Sequence, residues 1–304
     1  MSTQHLHQPV MPEQVLHLLN LKPGDTAADV TAGAGGHLRL LAQAVGEQGR
    51  VLALDRDERA HKADAAAGVA QEFAPRVVLH RAPFSQLPDM LTSLKFPKLD
   101  GLLCDLGVSS MQLDTPQRGF SFQHDGPLDM RMDPSQTLTA HQWLSQCNQQ
   151  ELADCLFYYG GERYSRRIAR RICERRPLPN STKALAQLVS KALSHKSGRI
   201  HPATRTFQAI RIFINNELDE LNKLLHALPQ LLAPTGRAVF IAFHSAEDRL
   251  IKLAFAQGAR KTQHGNPMWQ LLCRKPLRPQ EQEVQNNPRA RSARLRAIAM
   301  LDSN

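Results

Sequence analysis

The sequence predicts an α/β fold, a doubly wound, Rossmann-like parallel sheet carrying an inserted helical domain. Three observations predict it. Short apolar runs alternate with amphipathic stretches over the first hundred residues, the β-α-β-α-β pattern of a parallel sheet. Two of those runs, VLALD at 51–55 and LDGLLCD at 99–105, end in an aspartate. The carboxyl ends of such strands face the crevice where open α/β sheets bind ligands. From Gln117 to Ile214 the composition turns helical and basic, with fifteen Lys and Arg against seven Asp and Glu.

Each element can be justified in order. Met11 to Leu21 has apolar residues at helical spacing, and Lys22-Pro23-Gly24-Asp25 stops it. Thr26 to Val30 is a first strand. It runs into a glycine-rich turn, Gly33-Ala34-Gly35-Gly36-His37, and a helix follows through Leu38, Leu41 and Val45. Arg50 to Asp55 is a second strand, Asp57 to Glu72 a helix, Arg76 to Leu79 a third strand and Gly101 to Leu106 a fourth. After Asp105 almost thirty residues show no regular pattern. Gly107, Gly119, Gly126 and Pro127 punctuate them, and Arg118, Asp125, Asp129, Arg131 and Asp133 charge them. A long irregular stretch at a buried strand's mouth is a candidate functional loop. Helices are then predicted at 138–159, 162–176, 182–193 and 204–232. Arg237 to Phe243 is a further buried strand, ending at His244-Ser245 before another helix. Residues 258–280 read as loop-rich. The final SARLRAIAM alternates in part, as an antiparallel edge strand would. These bounds give one domain at 1–116 and 215–304, and an insert at 117–214.

Charge and cysteine usage narrow the function. The net charge of +10 and pI of about 9.7 suit a polyanionic partner. In YSRRIARRICERR, Ile168 and Ile172 lie four apart and face a core. Arg163, Arg166, Arg167, Arg170 and Arg171 then fill the remaining surface. Seven arginines between Arg163 and Arg176 tilt that face from mere solvation toward phosphate contact. No apolar run is long enough to span a membrane, and the N-terminus lacks a signal peptide's apolar core. The cysteine count is odd, five, without CxxC spacing, so no metal is expected and a reducing cytoplasm fits. His5 and His7 read as solvated residues near the start.

The glycine turn with Asp55 twenty-two positions after Gly33 suits either NAD or S-adenosylmethionine. Two features favour the second. The GAGG spacing is not GxGxxG. Asp29, just before the turn, would hold an ammonium and repel a pyrophosphate.

The segments DLGVSS, RGFSF and GPLDMRMDP, with HxPVMPE, GGH, HPATRTFQAIRIFINNEL, FHSAEDRLIK and NPRARSARLRA in order, resemble the bacterial ribosomal RNA small subunit methyltransferase H family. The resemblance covers nearly the whole chain. It implies an S-adenosylmethionine-dependent enzyme methylating N4 of a cytidine in the 16S ribosomal RNA decoding centre. It also implies cofactor contacts at Gly35, Gly36, His37, Asp55, Phe84, Asp105 and Gln112. Asp105 is the candidate catalytic residue, set against either the target amine or the cofactor. Arg118, Arg131, Arg163, Arg167, Arg170, His201, Arg205 and His244 are candidates for the RNA. The expected substrate is 16S ribosomal RNA in an assembled small subunit or late precursor. An assembly factor without turnover and a nicotinamide-dependent oxidoreductase are the competing readings.

Overall fold

The computed structural model describes residues 9–193, 201–261 and 266–302; His5 and His7 lie outside them. The chain divides into two compact units, Met1–Gly107 with Leu218–Asn304, and Val108–Glu217.

The first unit begins with helix α1 (Pro12–Leu19). Proline occupies its first turn, where no backbone N–H is needed, and Asn20 closes it in the left-handed conformation. Strand β1 (Thr26–Asp29) is wholly buried. Helix α2 (Gly36–Ala44), strand β2 (Arg50–Asp55), helix α3 (Ala66–Glu72), strand β3 (Val77–Arg81), helix α4 (Leu87–Ser93) and strand β4 (Leu99–Asp105) follow. The single helix expected over 57–72 does not form. Asp57 instead accepts a bond from the Arg59 N–H and nucleates one 3₁₀ turn, Glu58–His61, before α3 begins. Short acidic side chains compete with helix geometry in this way.

The second unit opens with α5 (Ser110–Leu113) and a 3₁₀ turn, Pro116–Arg118, inside the stretch that read as irregular. Helices α6 (Ala140–Gln146), α7 (Gln149–Tyr158), α8 (Ser165–Glu174), α9 (Thr182–Leu193) and α10 (Thr204–Ile214) complete it. Two expected long helices are each split. Asn148 and Glu151 form a capping box that starts α7 directly after Cys147. Asn216, at φ 50°, breaks the run between α10 and α11 (Glu217–Leu231). The charged loop is folded into this unit's core, with Leu128 and Met130 fully buried beside Leu144, Ile168 and Phe207. The Asn215 amide fixes it, accepting from the Met132 N–H at 2.7 Å and donating to the Met130 carbonyl at 2.7 Å.

Strand β5 (Leu232–Ala242), α12 (Ser245–Gly258), β6 (Trp269–Leu271), α13 (Glu281–Asn286) and β7 (Arg294–Met300) return to the first unit. The sheet order is β3-β2-β1-β4-β5-β7-β6. β1 to β5 are parallel, β7 is antiparallel to β5, and β6 is antiparallel to β7. The C-terminal strand is therefore antiparallel as expected, but β6 takes the edge. Three residues are too few to show a period in sequence. β6 is placed by Trp269, which is buried and donates its indole N–H to the Phe255 carbonyl at 2.9 Å. Gly258 makes room for that ring, since a Cβ there would lie 2.1 Å from it. Strand side chains alternate between two apolar layers, one holding Leu102 and Phe240, the other Leu103 and Val239. β1 and β4 are neighbours whose chains leave to opposite sides of the sheet, so the switch point lies between their carboxyl ends.

Candidate active site

The crevice at that switch point is built by four strand ends. After β1 the chain turns through Gly33 (φ 50°) and Gly35 (φ 85°), backbone conformations that side chains resist. A Cβ at Gly35 would also sit 2.7 Å from Val69 Cγ2. The turn hands the chain to α2, whose first residues, Gly36 and His37, lie at its N-terminus, with His37 buried. Asp55, ending β2, is tied to this turn: Oδ2 accepts from the Gly33 N–H and Oδ1 from the Asp57 N–H, each at 2.8 Å. Burial raises its pKa against those two bonds.

Asp29 ends β1 and is buried. Its Oδ1 accepts from the Thr31 N–H at 3.1 Å, while Oδ2 is buried without a hydrogen-bond partner among the described residues. Burial, aided by the Asp55 charge, pushes its pKa up to about 7. The Thr31 hydroxyl accepts from the Asp105 N–H at 2.7 Å, joining the ends of β1 and β4. Asp105 itself stands with Oδ2 3.7 Å from His37 Nε2 and a side chain 23% exposed. Its Oδ1 has no hydrogen-bond partner among the described residues. Burial first, then the charges of Asp29 and Glu247, hold its pKa well above the carboxylate range. Glu247 is locked in place, its Oε2 accepting from the N–H groups of Phe243 (2.9 Å) and His244 (3.3 Å). His244 caps α12 through Nδ1, which accepts from the Glu247 N–H, and its Nε2 lies 3.0 Å from Glu247 Oε1. That places His244 at the end of β5 in the role of a helix cap. Cys104 is fully buried on the opposite strand face, and its pKa is pushed well up by burial and by Asp105.

Gly35, Gly36, His37, Asp55 and Asp105 thus converge on one crevice. Phe84 opens a 3₁₀ turn after β3 and packs, half-buried, against the sheet core. Gln112 belongs to the second unit, where its Oε1 accepts from the Ser109 N–H at 3.0 Å to complete the α5 capping box. Sequence reasoning missed Thr31 and Glu247. The Asp-x-Thr turn and the His-x-x-Glu capping box were the signals that could have found them.

In the second unit, Arg163 is exposed in the turn before α8, and Arg167 and Arg170 are exposed on α8, with Arg170 3.9 Å from Glu174. Arg205 is exposed on α10, and His201 packs its ring on Phe122 with centroids 4.6 Å apart. Two residues expected on RNA have different work in the structure. Arg118 Nη2 donates to the carbonyls of Arg131 and Met132, both at 2.9 Å. Arg131 grips Asp129 with two N–H groups, at 2.7 and 2.8 Å, and donates to the Pro134 and Gln136 carbonyls. Their guanidinium groups hold the loop to itself.

The crevice offers glycine backbone, four buried or half-buried carboxylates and few cations. That set fits a nucleoside ligand with a ribose and a cationic end, and would repel a pyrophosphate. It fits S-adenosylmethionine, whose sulfonium and ammonium are both positive. Fold and site together define an α/β methyltransferase.

The chain belongs to the MraW methylase family, which matches it over residues 4–301, and its methyl donor is S-adenosylmethionine. The ribosomal RNA small subunit methyltransferase H of Cyanothece sp. is 47% identical over 300 residues, covering 99% of this chain and 96% of the relative. The protein of the same name from Acidobacterium capsulatum is 47% identical over 297 residues, covering 96% and 97%. A crystal structure of an rRNA methylase from Streptococcus thermophilus aligns with a TM-score of 0.46 at 9% identity, over 97% of this chain and 99% of that one.

Proposed function

We propose that this methyltransferase methylates N4 of a cytidine in the decoding region of 16S ribosomal RNA, and that Val108–Glu217 is its basic RNA-recognition unit. The observation that carries the reading is Asp105, a partly exposed acceptor at the mouth of β4 whose Oδ1 has no hydrogen-bond partner among the described residues. Relatives named for small-subunit ribosomal RNA methylation, 47% identical over nearly the full length, support the substrate class.

An exocyclic cytosine amine is a weak nucleophile because its lone pair is delocalised into the ring. S-adenosylmethionine, when bound, supplies an already activated methyl group, so positioning and electrostatics carry the remaining barrier. In this reading Asp55 holds the ribose hydroxyls, Gly35 and Gly36 let the backbone approach, and Asp29 holds the ammonium. Asp105, with the Leu106 and Gly107 carbonyls, accepts from N4–H and localises the lone pair. Burial makes its ionised form a stronger base toward the proton that N4 releases, and a sulfonium bound beside it favours that ionised form. Cys104 argues against C5 chemistry, which needs a thiolate at the base: this thiol is buried, on the other face, and held protonated.

The exposed arginines of α8 would grip several phosphates at once, so an assembled subunit or late precursor should outperform a short oligomer. The test is tritium transfer to 16S ribosomal RNA, small subunits and a cytidine oligomer, followed by nucleoside mass spectrometry. N4-methylcytidine, formed chiefly on subunits, is the expected product. A 5-methylcytidine product, or methylation of none of the three, would overturn the reading.

A further inference from the structure

The corner between α7 and α8 carries large aromatic surface that no core explains. Phe157 is 53% exposed and Tyr158 70% exposed, their rings edge to face with centroids 5.3 Å apart. Tyr164, just before α8, is 38% exposed. The corner is rigid. Gly161 (φ 61°) donates its N–H to the Phe157 carbonyl at 3.0 Å, and the Glu162 N–H donates to the Leu156 carbonyl at 3.1 Å. Gly160 presses the corner onto α10, since a Cβ there would lie 2.6 Å from the Arg205 carbonyl. The elements of this corner carry exposed arginines: Arg163 in the turn before α8, Arg166 in the first turn of α8, and Arg205 in the first turn of α10, against whose backbone Gly160 sits.

Exposed aromatic faces on a rigid backbone, flanked by cations, match what single-stranded nucleic acid presents: flat bases with a phosphate beside each. Between Phe157 and Arg171 the corner exposes arginines and no acid, Glu162 being buried, while Asp154 one turn back on α7 is engaged by the Gln150 amide; a protein partner of ordinary composition would not need that excess of cations. We infer that Phe157 and Tyr158 form a stacking platform for unpaired bases of the RNA, with Arg163, Arg166 and Arg205 holding the adjoining phosphates. This deepens the RNA reading above and rests on it. It makes the preferred ligand a looped or single-stranded segment, because paired bases have no free face to offer.

The experiment compares two fluorescein-labelled RNAs of equal length, one without self-complementarity and one fully paired hairpin, by anisotropy across a salt series. The proteins are wild type, Phe157→Ala/Tyr158→Ala, and Phe157→Tyr/Tyr158→Phe. The platform predicts about tenfold weaker binding of the single strand for each base that loses its stack. It also predicts at most twofold weakening on the hairpin and an unchanged salt slope, with the ring-preserving variant binding as wild type. S-adenosylmethionine affinity, unchanged in all three, reports an intact fold, and Tyr158→Ala alone serves should the double variant misfold. Equal weakening on both RNAs, or none on either, overturns the platform. So does a wild-type dimer in sedimentation that the double variant dissolves while RNA binding persists. Strand preference in a wild type that transfers no methyl group would sink the methylation reading and leave the platform standing.

Discussion

The proposed seat of the cofactor ammonium at Asp29 predicts that binding is pH-dependent, with a sign that can be worked out. In the folded chain its pKa is pushed to about 7, against an ordinary 3.8. Its Oδ2 has no hydrogen-bond partner among the described residues to offset burial. An ammonium placed there favours the ionised form and lowers that pKa. Below pH 7 binding must therefore expel a proton, and affinity for S-adenosylmethionine falls by up to tenfold per pH unit. Above pH 7 it levels. Asp29→Asn keeps the Oδ1 acceptor for Thr31 but removes the charge. Losing a charge-assisted hydrogen bond costs about 1.5–3 kcal/mol, a factor of roughly ten to a hundred at pH 8. The variant should bind weakly and without the pH slope. Stability moves the other way. The folded state binds more protons than the unfolded one between pH 4 and 7, so stability falls as pH rises through that window, by about 4 kcal/mol in all. Asp29→Asn is spared that loss and should melt higher than wild type at pH 8. Titration calorimetry between pH 5.5 and 8.5, in buffers of different ionisation enthalpy, reads affinity and proton release together. A wild type with flat affinity and no proton release, or a variant that keeps the slope, would refute the assignment.

Three further outcomes are expected. Asp55→Ala removes the proposed ribose acceptor, its bond to the Gly33 N–H of the glycine turn and its bond to the Asp57 N–H, and should weaken S-adenosylmethionine binding at least tenfold by calorimetry. Replacing Arg163, Arg167 and Arg170 with Gln should flatten the salt dependence of RNA binding by about 0.7–0.9 for each phosphate no longer held, while cofactor affinity stays the same. Gly35→Ala forces a Cβ onto Val69 at a left-handed backbone position and should cost about 1–3 kcal/mol in denaturant unfolding; an unchanged midpoint would deny the turn's strain.

The parallel strands were legible because each buries both faces and so reads as an unbroken apolar run, as in 51–54 and 101–104. The acids that close β2 and β4 were legible for the same reason: they stop those runs. β6 was not, because its three residues are held by Trp269 and Gly258 across the tertiary fold. The helix breaks at Asn148 and Asn216 lie in the sequence as capping and left-handed residues, but they were outweighed by the apolar period running through them. Arg118 and Arg131 show the harder limit. Nothing in an arginine's neighbours says that its donors will go to backbone carbonyls thirteen and fourteen residues on, as those of Arg118 do. The glycines and acids of the crevice stand out in the sequence, whereas Thr31 and Glu247 carry local turn and capping signals that do not by themselves show that both face the crevice.

The insertion of a whole unit between β4 and β5 has a consequence for how the chain comes together during synthesis. β4 and β5 are central partners, with Asp105 opposite Ile241, yet the entire Val108–Glu217 segment separates them along the chain. Closing a flexible loop of that length carries an entropic cost that rises with its logarithm. A segment with its own core, already collapsed, shortens the span to be closed. β1 to β4 and then the helical unit also emerge from the ribosome before β5 and β7 exist. The slow step is then the late docking of β5 and β7 onto a waiting half-sheet, whose β4 edge must stay unpaired until they arrive. Aggregation of nascent chains should accordingly be worst for truncations ending just before Leu232, and relieved once Met300 is included.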